Sequence, residues 1–147
     1  MADSDASKEF DNGLTLFKAG NLLRALGHFE KSMEAQPTAL CASYYAYCMA
    51  KERGHVTKGI DLCRKSLAQE PGNPVHYLNL ARIHLLGPNK EEALTVLRDG
   101  MQHAHDPELA ALLNQVGIRK PPVIQSLRRD NPINKFLGIL LSKFGMR

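Results

Sequence analysis

A chain of 147 residues that is 44% hydrophobic and 23% charged has the composition of one ordinary globular domain. Such a chain buries roughly 68–70% of its unfolded surface, so neither a metal nor a disulfide is needed to hold its core. The charge is unevenly spread: residues 1–118 carry 12 Lys and Arg against 14 Asp and Glu, and residues 119–147 carry seven against Asp130 alone.

The opening stretch, MADSDASKEF, is acidic and lacks the apolar run of a signal peptide. Residues 1–6 are expected to be disordered, and the chain is assigned to the cytoplasm. From there the sequence repeats itself every 34 residues. Gly13, Tyr47 and Ala81 align, as do Ala25, Gly59 and Ala93; Phe29, Cys63 and Leu97; and Met33, Leu67 and Met101. Small residues recur where two helices must approach closely, and large apolar ones where a helix packs on its neighbours. Gly20 and Gly54 mark turns between helices, with Gly87 to Asn89 serving that purpose in the third copy.

In period and pattern the stretch from about residue 6 to 107 resembles the tetratricopeptide repeat (TPR) family, whose unit is a helix–turn–helix pair. Residues 12–37 carry the clearest copy, with Gly13, Leu16, Gly20, Ala25, Phe29 and Pro37 at the characteristic places. Three departures stand out. Glu9 and Ser43 replace an early aromatic that only Tyr77 keeps, bulky Tyr47 replaces a small residue, and Ser32, Ser66 and Gly100 stand where Ala is usual. The resemblance implies an all-α, right-handed superhelix over residues 7–117, with copies near 7–39, 40–73 and 74–107. First helices are expected near 7–19, 41–53 and 75–86, and second helices near 22–35, 56–69 and 90–104.

A short helix follows over 107–116. Asp106 caps it, Pro107 takes its first position and Gly117 stops it; such a terminal helix closes a repeat array. Residues 118–131 form a basic arm in which Pro121 and Pro122 favour an extended path. The last element, 132–145, starts at a cap from Asn131 and carries Ile133, Phe136, Leu137, Leu140, Leu141 and Phe144 along one helical stripe. Fully burying those six side chains would stabilise by roughly 9–18 kcal/mol at most, so a cover is expected. The intervening chain reaches about 50 Å when extended, at about 3.3 Å per residue, which permits docking on the repeats. A homodimer through this helix is a further expectation. The alternative is an anionic membrane surface, although Lys135 and Lys143 are its only flanking cations. Nucleic-acid binding is disfavoured, because the basic residues are dispersed without interleaved stacking aromatics.

Catalytic chemistry leaves no trace in the sequence: there is no P-loop, GxSxG, HExxH or CxxC. Cys41, Cys48 and Cys63 are odd in number and read as reduced thiols. Cys41 and Cys48 lie about 10 Å apart along a helix, and His103 and His105 point to different faces, so no metal or other cofactor is expected. The chain is therefore read as a non-enzymatic adaptor for a protein or peptide partner. The resemblance implies that the first helices line a concave groove. Carried over residue by residue, its lining is Phe10, Leu14 and Phe17; Cys41, Tyr44, Cys48 and Lys51; and Val75, Leu78, Arg82 and Leu85. Chaperone-binding members clamp a terminal carboxylate with Lys, Asn and Arg, whereas the matching places here are Phe10, Leu14, Tyr45 and Val75, with Asn79 alone polar.

Overall fold

The computed structural model describes residues 2–117 and 131–145. Seven helices form the first unit: α1 (Ala2–Lys18), α2 (Leu22–Ala35), α3 (Ala39–Arg53), α4 (Val56–Gln69), α5 (Pro74–His84), α6 (Lys90–His103) and α7 (Pro107–Gly117). Capping side chains set several starts. Thr38 Oγ1 accepts from the Cys41 amide at 3.1 Å, Asn73 Oδ1 from Val75 at 3.1 Å, and Asp106 Oδ1 from both Glu108 and Leu109. Gly20 and Gly54 end their helices at φ +79° and +73°, a conformation that costs any other residue strain. The third turn differs from expectation: Leu85 stays right-handed at φ −72°, and no residue from Leu85 to Asn89 has positive φ. A longer connection lets the chain reverse without one.

The helices stack as the 34-residue period requires, in a right-handed superhelix of three antiparallel pairs closed by α7. Within copies α1 packs on α2, α3 on α4 and α5 on α6; between copies α2 meets α3 and α4 meets α5. The core accordingly divides among the junctions. Leu26, Phe29, Cys41, Cys48 and Met49 join the first two copies. Ala46, Ala50, Cys63, Leu80 and Ile83 join the next two, and Tyr77, Leu78, Ala81, Leu97 and Leu109 join the third copy to α7. No pair buries its apolar face alone. The first helices also pack side by side, α3 on α5 and α5 on α7, and the rings of α1 reach α3. Among the described residues the second helices approach one another less closely, α4 and α6 sharing core clusters through Leu67 and Val96, which puts the first helices on the inner side.

Residues 2–6, expected to be disordered, are instead the first turns of α1. Asp3 and Asp5 favour the helix N-terminus electrostatically, and Ala6 is buried with its carbonyl accepting the Ser32 hydroxyl at 2.9 Å. Long-range packing settled what local composition left open. The second unit, residues 118–147, contributes α8 (Pro132–Lys143), capped by Asn131 Oδ1 on the Ile133 amide at 3.0 Å. The proline-bearing arm expected over 118–131 lies, except for Asn131, outside the described residues.

One close approach gives a stability test. A Cβ on Gly59 would stand 2.9 Å from the Ala46 carbonyl oxygen and 3.1 Å from Ala50 Cβ. Gly→Ala inside an exposed helix gains about 1 kcal/mol, but Gly59→Ala should lose about 1–3 kcal/mol through overpacking. Urea unfolding followed by circular dichroism reads the sign, and a gain would show that α3 and α4 are not held this closely.

Candidate functional site

Where α1, α2, α3 and α5 converge, aromatic rings stack in layers. Phe29 of α2 is fully buried at the base. Tyr44 of α3 lies parallel over it, with centroids 5.6 Å apart. Phe17 of α1 meets Tyr44 edge-on at 5.0 Å and Tyr47 at 5.9 Å, and Phe10 contacts both Phe29 and Tyr44. Edge-to-face and offset pairs at these separations are the favourable ones. Every ring of the group except Phe29 keeps part of its surface in water.

Over this aromatic layer lies one cation. The Arg82 guanidinium carbon is 5.9 Å from the Phe17 centroid and 6.0 Å from that of Tyr47, within cation–π range of both. Its Nη1 donates to Asn79 Oδ1 at 3.1 Å. Asn79 is itself fully buried and donates through Nδ2 to Ser43 Oγ at 3.2 Å. A polar string thus runs from α3 through α5 to the open surface, and its outer end faces Glu108 of α7, 3.6 Å from Arg82 Nη2. Burial pushes the Tyr44 and Tyr47 hydroxyls above the usual tyrosine range, against the opposing pull of Arg82. The surface therefore offers neutral rings and one fixed positive charge.

The expected groove set divides. Phe10, Leu14, Phe17, Tyr44, Val75, Arg82 and Leu85 are half-buried, and Lys51 is exposed. Cys41, Cys48 and Leu78, expected to line the groove, are buried instead. The two thiols belong to the junction with α2, where Cys41 Sγ donates to the Phe29 carbonyl at 3.6 Å, and Leu78 packs beside Ala81 and Leu109. The physical reason is that α3 and α5 have neighbours on both sides. Their apolar residues run nearly all round, and helical spacing cannot single out the inner side. Tyr47, half-buried beside Phe17 in the aromatic layer, was not among the expected residues. Its signal was the departure itself: a bulky ring where the other copies carry Gly13 and Ala81, in a seam already closed by Gly59 against Ala46 and Ala50. Five of the six residues of the expected stripe lie within α8, and the sixth, Phe144, is its C-cap residue.

Among the described residues no three His, Cys, Asp or Glu side chains could together hold a metal ion, and no helix is long and apolar enough to cross a membrane. A cleft of about 330 Å³ lined by Arg64, His84, Glu91, Glu92, Thr95 and Val96 lies among α4, α5 and α6, away from the aromatic layer. The thiols offer no nucleophile: burial pushes Cys48 and Cys63 up to about 12, and raises Cys41 as well. Dithiobis(nitrobenzoate) at pH 8 should accordingly titrate none of the three cysteines quickly in the native chain and all three in denaturant. A fast-reacting native thiol would contradict their burial.

Residues 50–116 match the family model of the tetratricopeptide repeat. Among solved structures, the first TPR of Spaghetti (RPAP3) bound to the HSP90 peptide SRMEEVD superposes with a TM-score of 0.62 at 16% identity, covering 78% of this chain and 94% of that one. The TPR domain of P58(IPK) gives 0.62 at 18% identity over 79% of this chain, and yeast Tom70 gives 0.56 at 17% over 97%. The chain spans 34% of the length of each of those two structures. At these identities the likeness is one of fold. No curated protein sequence matches the chain.

Proposed function

Because residues 50–116 match the tetratricopeptide repeat and the helices have the fold of such domains, we propose that the chain's inner face holds a short segment of a protein partner against Phe17, Tyr44 and Tyr47, as a non-catalytic adaptor does. What carries this is the half-buried aromatic layer spanning α1 and α3 beneath Arg82 of α5. Rings presented in this way supply large rigid contact area at little entropic cost, the property that makes Tyr and Arg frequent binding hot spots. Leu14, Val75 and Leu85 extend the apolar lining, and Lys51, one turn beyond Tyr47, edges it with charge.

The HSP90 peptide held by the Spaghetti domain ends in EEVD, three acids and a valine. In this chain the places that would clamp such a terminus are Phe10, Leu14, Tyr45 and Val75, and Asn79 is buried and already engaged by Ser43 and Arg82. A predominantly apolar segment fits better than a terminal run of acids. The tail helix is cationic and apolar, with Lys135 and Lys143 and no carboxylate between Asn131 and Gly145. It has no anion to bring to Arg82, and binding at the inner face does not require it. Its stripe is read as a second, separate contact surface.

The test uses peptides selected from a displayed random library against the full chain. Tyr47→Ala should weaken their binding by more than about tenfold, as truncation of a hot-spot ring does, while Arg98→Ala on the exposed side of α6 leaves it unchanged. Selected peptides that ignore Tyr47→Ala would show that the inner face is not the binding surface.

A further inference from the structure

Resting on that peptide-binding reading, we infer that Arg82 is the receptor for one carboxylate of the bound segment, and that Glu108 is its resident occupant in the free chain. A guanidinium carries five N–H donors in a rigid fork and stays charged at any working pH. Among the described residues its polar partners are two. Asn79 Oδ1 is a neutral acceptor at 3.1 Å. Glu108 approaches through one oxygen at 3.6 Å, well beyond the roughly 2.7–2.9 Å of a charge-assisted hydrogen bond.

The two sides of that ion pair are unequally held. The Arg82 side chain is 28% exposed, whereas that of Glu108 is 72% exposed. Glu108 is free to swing away into water, but Arg82 is fixed from beneath by Asn79 and Ser43, both fully buried, and flanked by the faces of Phe17 and Tyr47. A half-desolvated, pre-oriented cation with a loose partner gains more from a well-placed anion than a fully solvated one does. An incoming carboxylate that made the bidentate contact would displace Glu108 without moving the scaffold.

Position also constrains what surrounds that carboxylate. The guanidinium it would meet lies 5.9 and 6.0 Å from the Phe17 and Tyr47 centroids, so a large apolar residue beside the acid in the ligand finds ring surface to pack on. The partner chemistry is therefore an acidic residue adjoining an aliphatic or aromatic one. The tail helix of a second copy does not meet it, since residues 131–145 contain no Asp or Glu.

The probe is a displayed random dodecapeptide library panned on the full-length wild-type chain and on Arg82→Met, which keeps an apolar stem over the rings. Wild type should enrich acidic–apolar sequences and Arg82→Met apolar sequences without the acid. Replacing the acid of a selected peptide by its amide should cost about tenfold on wild type, the scale of a charged hydrogen bond, and little on Arg82→Met. Glu108→Gln, on a side chain too exposed to affect folding, should tighten acidic peptides about two- to fivefold by removing a surface ion pair's competition. Equal binding of acid and amide peptides to wild type, or no tightening by Glu108→Gln, overturns the inference. In that case continued loss of binding in Tyr47→Ala would leave the inner-face reading standing, whereas insensitivity to Tyr47→Ala would remove both.

Discussion

Asn79 is wholly enclosed between α3 and α5, and a buried amide without partners costs on the order of 1–3 kcal/mol. Its nitrogen therefore has to find Ser43 on one side, and its oxygen the guanidinium of Arg82 on the other. Apolar packing of Leu80 and Ile83 on Ala46 and Ala50 holds α5 against α3, and the polar contact adds a directional constraint to it. The hydrogen bonds fix the register of the two helices, and the register decides that Arg82 emerges above Phe17 and Tyr47 rather than in open solvent. The character of the inner face, rings beneath a single held charge, follows from one polar contact in an apolar junction.

The three copies are not interchangeable, and their differences compensate one another. Tyr77 alone keeps the early aromatic, and Gly100 opposite it has no room for a side chain: an added Cβ would meet the Tyr77 ring at 2.8 Å. In the first copy Glu9 stands at that place and bonds His28 of α2 at 2.7 Å, while Ser32 reaches back to the Ala6 carbonyl. In the second, Ser43 turns its hydroxyl toward Cys63 and Asn79. Departures from the repeat pattern therefore come in packed pairs. Where large replaces small at Tyr47, the ring packs edge-on against Phe17 and beneath Arg82.

The helices and the first two turns were legible because each depends on local chemistry: caps at Asp106 and Asn131, left-handed glycines at 20 and 54, and a 34-residue period that stacked pairs satisfy. The start of α1 was not legible. Residues 2–6 look like a solvated tail until α2 is placed beside them and Ser32 claims the Ala6 carbonyl. The site was half legible. Phe10, Phe17, Tyr44 and Arg82 came from the family's groove pattern and stand half-buried, but the same pattern carried Cys41, Cys48 and Leu78, which face the junctions. Glu108 was out of reach altogether, since its distance from Arg82 depends on how α7 closes the stack.

The central claim is that the inner side of the stack, and not its outer helices or the tail, takes the partner. Hydrogen exchange of the full chain with and without a bound peptide tests this most directly. The account predicts new protection in α1, α3 and α5 around Phe17, Tyr47 and Arg82. Protection confined to α2, α4 and α6, or to residues 131–145, would contradict it.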